Sequence, residues 1–269
     1  MTSAQVQAVP ETLELVGDEQ RIDLQPWLEY RQTDRQLTFE ALQSDRAIWT
    51  SGSNRSDMNF GYTQDAVWIK LNLRSIADRD TLWHLHFPYS SLNQVEIYHT
   101  PGEVRRSGAS VPVSQRDLPH RDPVFLLRLS PGEQKTLYLR AHSSGSLTLT
   151  SQLWSSSAFA TFSVNSMALI ALYCGMLLAL AAYNLLLFSV LRERTYLLYV
   201  GFVLSFGLGA LAFTGLGARY LWPEMGEWGS RIMPFALCLS GAIAPLFTRD
   251  FLDTRRHMPG WYRILTALA

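Results

Sequence analysis

The sequence predicts two unlike parts: an all-β sandwich, jelly-roll-like, over residues 1–157, and an α-helical transmembrane region over residues 158–269. Three observations carry that division. Residues 1–157 hold 15 Lys/Arg and 18 Asp/Glu, whereas residues 158–269 hold 8 and 5. Residues 158–191, 195–218 and 232–248 carry no charge at all, and a bilayer crossing takes about 20 apolar residues. From about residue 20 to 154, apolar and polar side chains alternate in short runs separated by turn formers, the pattern of half-buried strands.

Whole-chain averages hide this split. A chain of 269 residues, 48% hydrophobic, with 23 basic and 23 acidic side chains reads as an ordinary soluble protein. Those averages exclude disorder and a collagen-like composition. They also exclude a strongly basic nucleic-acid binder, so no nucleic-acid partner is expected.

In the β part, residues 67–74 alternate cleanly. Val67, Ile69, Leu71 and Leu73 face one side; Trp68, Lys70, Asn72 and Arg74 face the other. Residues 81–87, 93–99, 124–129, 136–142 and 147–154 continue the pattern. Ser90-Ser91, Pro101-Gly102, Pro131-Gly132 and residues 143–146 supply the turns. Short strands at this spacing give a sandwich. Jelly-roll and immunoglobulin-like forms both fit the periodicity, and the jelly roll is preferred.

In the second part, spans are predicted at about 163–191, 195–218 and 231–249, with a fourth beginning at 261. The serines of 155–157 read as a linker or helix start. Cys174 and Cys238 lie inside predicted spans and read as small apolar side chains. Arg192 and Arg194 in one short loop, and Arg249, Arg255 and Arg256 in another, place those loops in the cytoplasm and the N-terminus outside. Residues 1–20 show neither a basic n-region nor an apolar h-region. Either the recorded start lies downstream of the true one or the β-domain is cytoplasmic; the apolar segment that starts at Trp261 and stops at Ala269 favours a piece of a longer chain. Asn184 within the first span is expected to bond a second helix, and Gly175, Gly201, Gly207 and Gly209 to allow close helix approach. Pro234 and Pro245 are placed to kink the third span.

Candidate sites lie in the β part. His84 and His86 are two apart in a strand and share a face. No Cys or carboxylate at a matching spacing completes a metal set, so a polar sheet face is expected, with no metal and no cofactor. The run Arg116-Asp117-Leu118-Pro119-His120-Arg121-Asp122-Pro123 offers Arg forks to an anionic or hydroxyl-rich ligand, or pairs internally as a solvated loop. Aromatic side chains edged by Arg, Asp and His can form a sugar platform, although core or strand packing is the expectation for most of them. The ligand-binding residues chosen are Arg116, His120, Arg121, Asp122 and Arg140, with Trp68 and Tyr98 as platforms. No Ser-His-Asp, P-loop, GxGxxG or metalloprotease motif is present, so no catalytic residue and no enzymatic activity are expected.

Several ordered segments resemble one family. They are Val67-Trp68-Ile69-Lys70-Leu71-Asn72-Leu73; Tyr89 to Tyr98 with Leu92, Val95, Glu96 and Ile97; and Gly108, Pro112 and Arg116 followed by Pro119 to Phe125. Thr136 to Arg140 followed by Ser143-Ser144-Gly145-Ser146 continues the match. In the second part, Gly175, Tyr183-Asn184, Phe188, Arg192, Tyr196 to Tyr199, Gly215 and Leu221-Trp222-Pro223 extend it. The set is similar to the second type of extracellular sensor domain, with its helices, of the bacterial seven-transmembrane receptors with diverse intracellular signalling modules (7TMR-DISM).

The resemblance implies a periplasmic jelly-roll-like domain that binds carbohydrate or another small ligand. It implies a bacterial inner-membrane location, contact with the lipid bilayer, and a downstream signalling partner or output such as a histidine kinase or diguanylate cyclase. Two rivals remain. One is a structural membrane protein whose β-domain binds another protein; the other is a membrane-anchored carbohydrate-active enzyme with paired carboxylates in one cleft.

Overall fold

The computed structural model describes residues 12–44, 48–55, 57–100, 103–257 and 259–268. The predicted Pro101-Gly102 turn and most of the 1–20 segment lie outside them. Thirteen strands come first: β1 Leu13–Leu15, β2 Arg21–Asp23, β3 Leu28–Thr33, β4 Thr50–Ser51, β5 Asn59–Tyr62, β6 Ala66–Ser75, β7 Thr81–His86, β8 Gln94–Thr100, β9 Glu103–Ser107, β10 Val124–Leu129, β11 Gln134–His142, β12 Ser146–Thr148 and β13 Gln152–Ser155. Among the described residues, one short α-helix, α1 (Phe39–Ser44), and three 3-10 turns interrupt them.

The strands form a sandwich. A seven-stranded sheet runs β4-β3-β6-β11-β8-β9, with β1 pairing parallel to β6 beyond the end of β3. A four-stranded sheet runs β10-β7-β13-β2, and β12 pairs β5 separately. The core between the main sheets is built from alternate residues of each, as strand geometry dictates. Val67, Ile69, Leu71 and Leu73 of β6 and Leu137 and Leu139 of β11 meet Trp83 and Leu85 of β7 and Phe125 and Leu127 of β10.

Two local expectations are revised. The predicted strand 147–154 is two strands in different sheets. Leu149 N–H reaches Met58 O and Leu24 N–H reaches Ser151 O, so the chain crosses from one sheet to the other at this point. Of the two readings of the serines of 155–157, the helix start holds and the linker does not: Ser155 pairs with Trp83, and α2 begins at Ser156.

Seven further helices follow: α2 Ser156–Leu191, α3 Arg194–Phe213, α4 Leu216–Tyr220, α5 Glu227–Ser230, α6 Ile232–Phe251, α7 Thr254–His257 and α8 Pro259–Leu268. Among the described residues, three helical segments are long and apolar enough to cross a membrane: Ser156–Leu191, Arg194–Phe213 and Glu227–Phe251. At about 1.5 Å per residue, α2 is about 54 Å long, against about 30 Å of hydrocarbon. The chain forms two compact units, one to Phe162 and one from Ser163, so the first turns of α2 belong to the β unit.

Candidate ligand-binding site

The outer face of the seven-stranded sheet carries two rows of chemically active side chains. Strand register sets them. Glu96 of β8 pairs with Arg106 of β9 on one side and Arg140 of β11 on the other. Arg140 pairs with Trp68 of β6, and Trp68 with Arg31 of β3. The first row is therefore Arg106–Glu96–Arg140–Trp68–Arg31. Two residues along each strand, on the same face, Tyr98 pairs with Tyr138, Tyr138 with Lys70, and Lys70 with Glu29.

Glu96 is the hub of this face. It is 3% exposed and accepts from Gln94 Nε2 at 3.0 Å, Tyr98 OH at 2.8 Å, Arg106 Nε at 2.9 Å and Arg140 Nη1 at 3.0 Å. Burial opposes its ionisation, but the bonds from Tyr98, Arg106 and Arg140 hold the carboxyl below its usual range. Tyr98 is pushed the other way, up to about 12, by burial and then by its bond to the ionised Glu96. The Arg140 guanidinium also lies 5.8 Å from the centroid of the Trp68 ring.

Trp68 is 0% exposed although it sits on the outer face. The segment holding α1 covers it. Phe39 stacks on Tyr98 at 4.8 Å between centroids, on Trp68 at 6.3 Å, and meets Tyr138 edge-on at 5.4 Å. Leu42 joins the same cluster, with Leu37 and Trp49 packed against it. Beneath this cover, among the described residues, neither Trp68 Nε1 nor Arg140 Nε has a hydrogen-bond partner. A six-residue helix is far short of the roughly 12–15 residues that hold together unaided. Each of its two anchoring side chains contributes about 1.5–3 kcal/mol by burial.

The remaining chosen residues gather elsewhere. Arg116 is buried and binds its own loop, donating from Nε to Val111 O at 2.9 Å and from Nη1 to His120 O at 3.1 Å. The Asp122 carboxylate takes His86 Nε2 at 3.0 Å, Arg121 Nη2 at 3.2 Å and a short bond from Ser90 Oγ. His120 Nδ1 accepts the Asp122 backbone N–H at 3.1 Å. His84, His86 and His120 all lie against the Phe159 ring, at 4.7, 5.5 and 5.2 Å. His84 and His86 share a sheet face, as expected, and the start of α2 buries it. Donor atoms of His86, His120 and Asp122 fall within 4.8 Å of one another, a spacing a metal ion can use. Arg121, however, already neutralises that carboxylate and would repel an arriving cation. The cluster is a self-compensated network with almost no exposed surface.

The seven residues chosen from sequence thus fall into two groups. Trp68, Tyr98 and Arg140 share one sheet face; Arg116, His120, Arg121 and Asp122 form a buried network. Glu96, Arg106 and Tyr138 were not chosen, although i, i+2 spacing with Tyr98 and Arg140 was signal enough to add Glu96 and Tyr138. Arg106 also borders a polar cleft of about 290 Å³ between β9 and residues 114–117.

Comparison with known families joins these observations. Residues 26–155 match the model described as 7TMR-DISM extracellular 2, and residues 166–269 match 7TM diverse intracellular signalling. The chain belongs to the 7TMR-DISM family. The comparison with curated proteins returned no match. The two matches and the three apolar helices make this 7TMR-DISM chain part of a membrane sensory receptor with its β-domain outside. In its helices, Asn184 donates to Leu180 O of its own turn at 2.9 Å rather than across to another helix, because an amide side chain can bond the carbonyl four residues back. A Cβ at Gly175 would meet nothing within 4 Å, whereas one at Gly209 would touch Leu237 at 3.3 Å, so the close approach falls on α3 and α6.

Proposed function

We propose that the extracellular β-domain of this receptor binds a carbohydrate-like ligand on the outer face of its seven-stranded sheet and passes the bound state to the membrane helices. The observation that carries this reading is the row Arg106–Glu96–Arg140–Trp68–Arg31, flanked by Tyr98 and Tyr138. Aromatic rings take the apolar face of a sugar ring, and the charged groups take its hydroxyls. Arg106 and Arg140, which share the Glu96 carboxylate, give the face guanidinium donors that suit ligands carrying acidic oxygens. Trp68 Nε1 and Arg140 Nε are two buried donors awaiting an acceptor.

The chain acts by binding, not catalysis, and sits in the bacterial inner membrane. Its partners are the bilayer, the ligand and a downstream signalling protein, with no nucleic acid. For signalling, the ligand must favour one helix arrangement over another. The test is a screen of the full chain in lipid nanodiscs against hexamers of glucose, xylose, galacturonate and N-acetylglucosamine. The expected result is saturable binding, strongest for an acidic member. Absence of binding to every member refutes a carbohydrate ligand and favours the protein-binding rival.

A further inference from the structure

The sheet face read as the ligand site is already occupied by the chain's own segment 34–44. Its mode of occupation resembles that of a ligand. The Phe39 ring lies flat on Tyr98 and Trp68, at interplanar angles of 20° and 25°. The backbone carbonyl of Arg35 accepts a hydrogen bond from Arg140 Nη2. A ring on an aromatic platform and an oxygen on a guanidinium are what a sugar would present.

The hold of this segment is local. Among the described residues, and apart from the Arg140 bond to the Arg35 carbonyl, its backbone bonds close on itself: Leu37 N–H to Asp34 O, and Leu42 N–H to Thr38 O. Its side-chain caps do the same, with Asp34 Oδ1 taking Gln36 N–H and Thr38 Oγ1 taking Ala41 N–H. No strand pairing joins it to the sheet. Phe39 and Leu42 are buried, while Glu40, Ala41, Gln43 and Ser44 are exposed. Elements held by few buried contacts open without global unfolding. The surface beneath is not that of a finished core. Packed cores satisfy their polar atoms, yet Trp68 Nε1 and Arg140 Nε stay unbonded under this cover.

We propose that residues 34–44 are a lid that fills the aromatic platform in the ligand-free receptor and lifts to admit a ligand, with Phe39 and the Arg35 carbonyl as its internal stand-ins. This rests on reading the face as the ligand site. Opening therefore competes with binding, and the lid's hold on Trp68 and Arg140 sets how much ligand is needed.

Amide hydrogen exchange of the full chain in nanodiscs tests the lid without any ligand. The Leu42 amide is expected to be protected at least 100-fold less than the amides of the β6–β11 ladder. Protection equal to the ladder's within threefold overturns the proposal, because the segment would then open only when the domain unfolds. The second arm compares hexamer binding by wild type and Phe39→Ala, with ladder protection confirming that the variant is folded. Removal of the stand-in ring should tighten binding of an accepted hexamer about tenfold; unchanged or weaker binding overturns the competition. If no hexamer binds either protein, the carbohydrate reading fails, and exchange still decides whether the lid opens.

Discussion

Acid should loosen the β-domain through His120, and the size of the effect follows from its surroundings. The ring is 3% exposed and is packed against Phe159 and His86. Burial lowers its pKa from 6.5 to about 4; the Asp122 carboxylate opposes that fall, while His86 and Arg121 reinforce it. A His with a folded value below its unfolded one is bound neutral. Stability is then full above about pH 6.5 and falls as pH drops towards 4, because the unfolded chain takes up the proton first. At about 1.4 kcal/mol per pKa unit, the loss between pH 7.5 and pH 5 comes to about 2 kcal/mol. His84, also lowered by burial, works in the same direction. Asp122, whose own pKa is lowered overall by His86, Arg121 and Ser90 against the opposing effect of burial, keeps its contribution until more acidic pH.

The assay is guanidinium unfolding of the full chain in nanodiscs, read by tryptophan fluorescence at pH 7.5 and pH 5, for wild type and His120→Asn. The asparagine carbonyl can still accept the Asp122 N–H but does not titrate. Wild type should lose about 2 kcal/mol more than the variant between the two pH values. Equal losses would refute the assignment to His120.

Two further outcomes follow from the same geometry. Glu96→Gln leaves Arg140 and Arg106 without their buried counter-charge and should destabilise the domain by about 3 kcal/mol in chemical denaturation; a change below about 1 kcal/mol would show that the hub is not structural. Gly108 has φ +134, and a Cβ there would meet Asn93 O at 2.3 Å, so Gly108→Ala should cost more than about 1 kcal/mol, seen as a lowered Tm of the β-domain.

Much of the fold was legible because alternation is a local signal. Residues 124–129 form a strand with those bounds, and β6 presents Val67, Ile69, Leu71 and Leu73 to the core as its pattern required. The membrane spans were legible for the same reason: an uncharged run has few other uses. What failed depended on long-range partners. Nothing in residues 147–154 says that Met58 and Leu24 will draw the chain across at 149–151. Alternation put Trp68 on the face opposite Val67 and packing was the expectation for most aromatics, but what buries it, Phe39, lies 29 positions earlier and could not be named. His86 and Asp122, 36 positions apart, meet only because the 116–123 loop folds back under α2. The candidate site was half-legible: alternation placed Trp68, Tyr98 and Arg140 on strand faces, while the charged loop drew attention to a network that turned out to bind itself.

The central claim is that ligand is taken on the sheet face and not at the histidine network. Calorimetric titration of nanodisc-embedded chain with the best hexamer, comparing Arg140→Ala with Arg121→Ala, tests it most directly. The account predicts at least a tenfold loss of affinity for Arg140→Ala and parent-like binding for Arg121→Ala. Parent-like binding by Arg140→Ala, with the loss falling on Arg121→Ala, would contradict it.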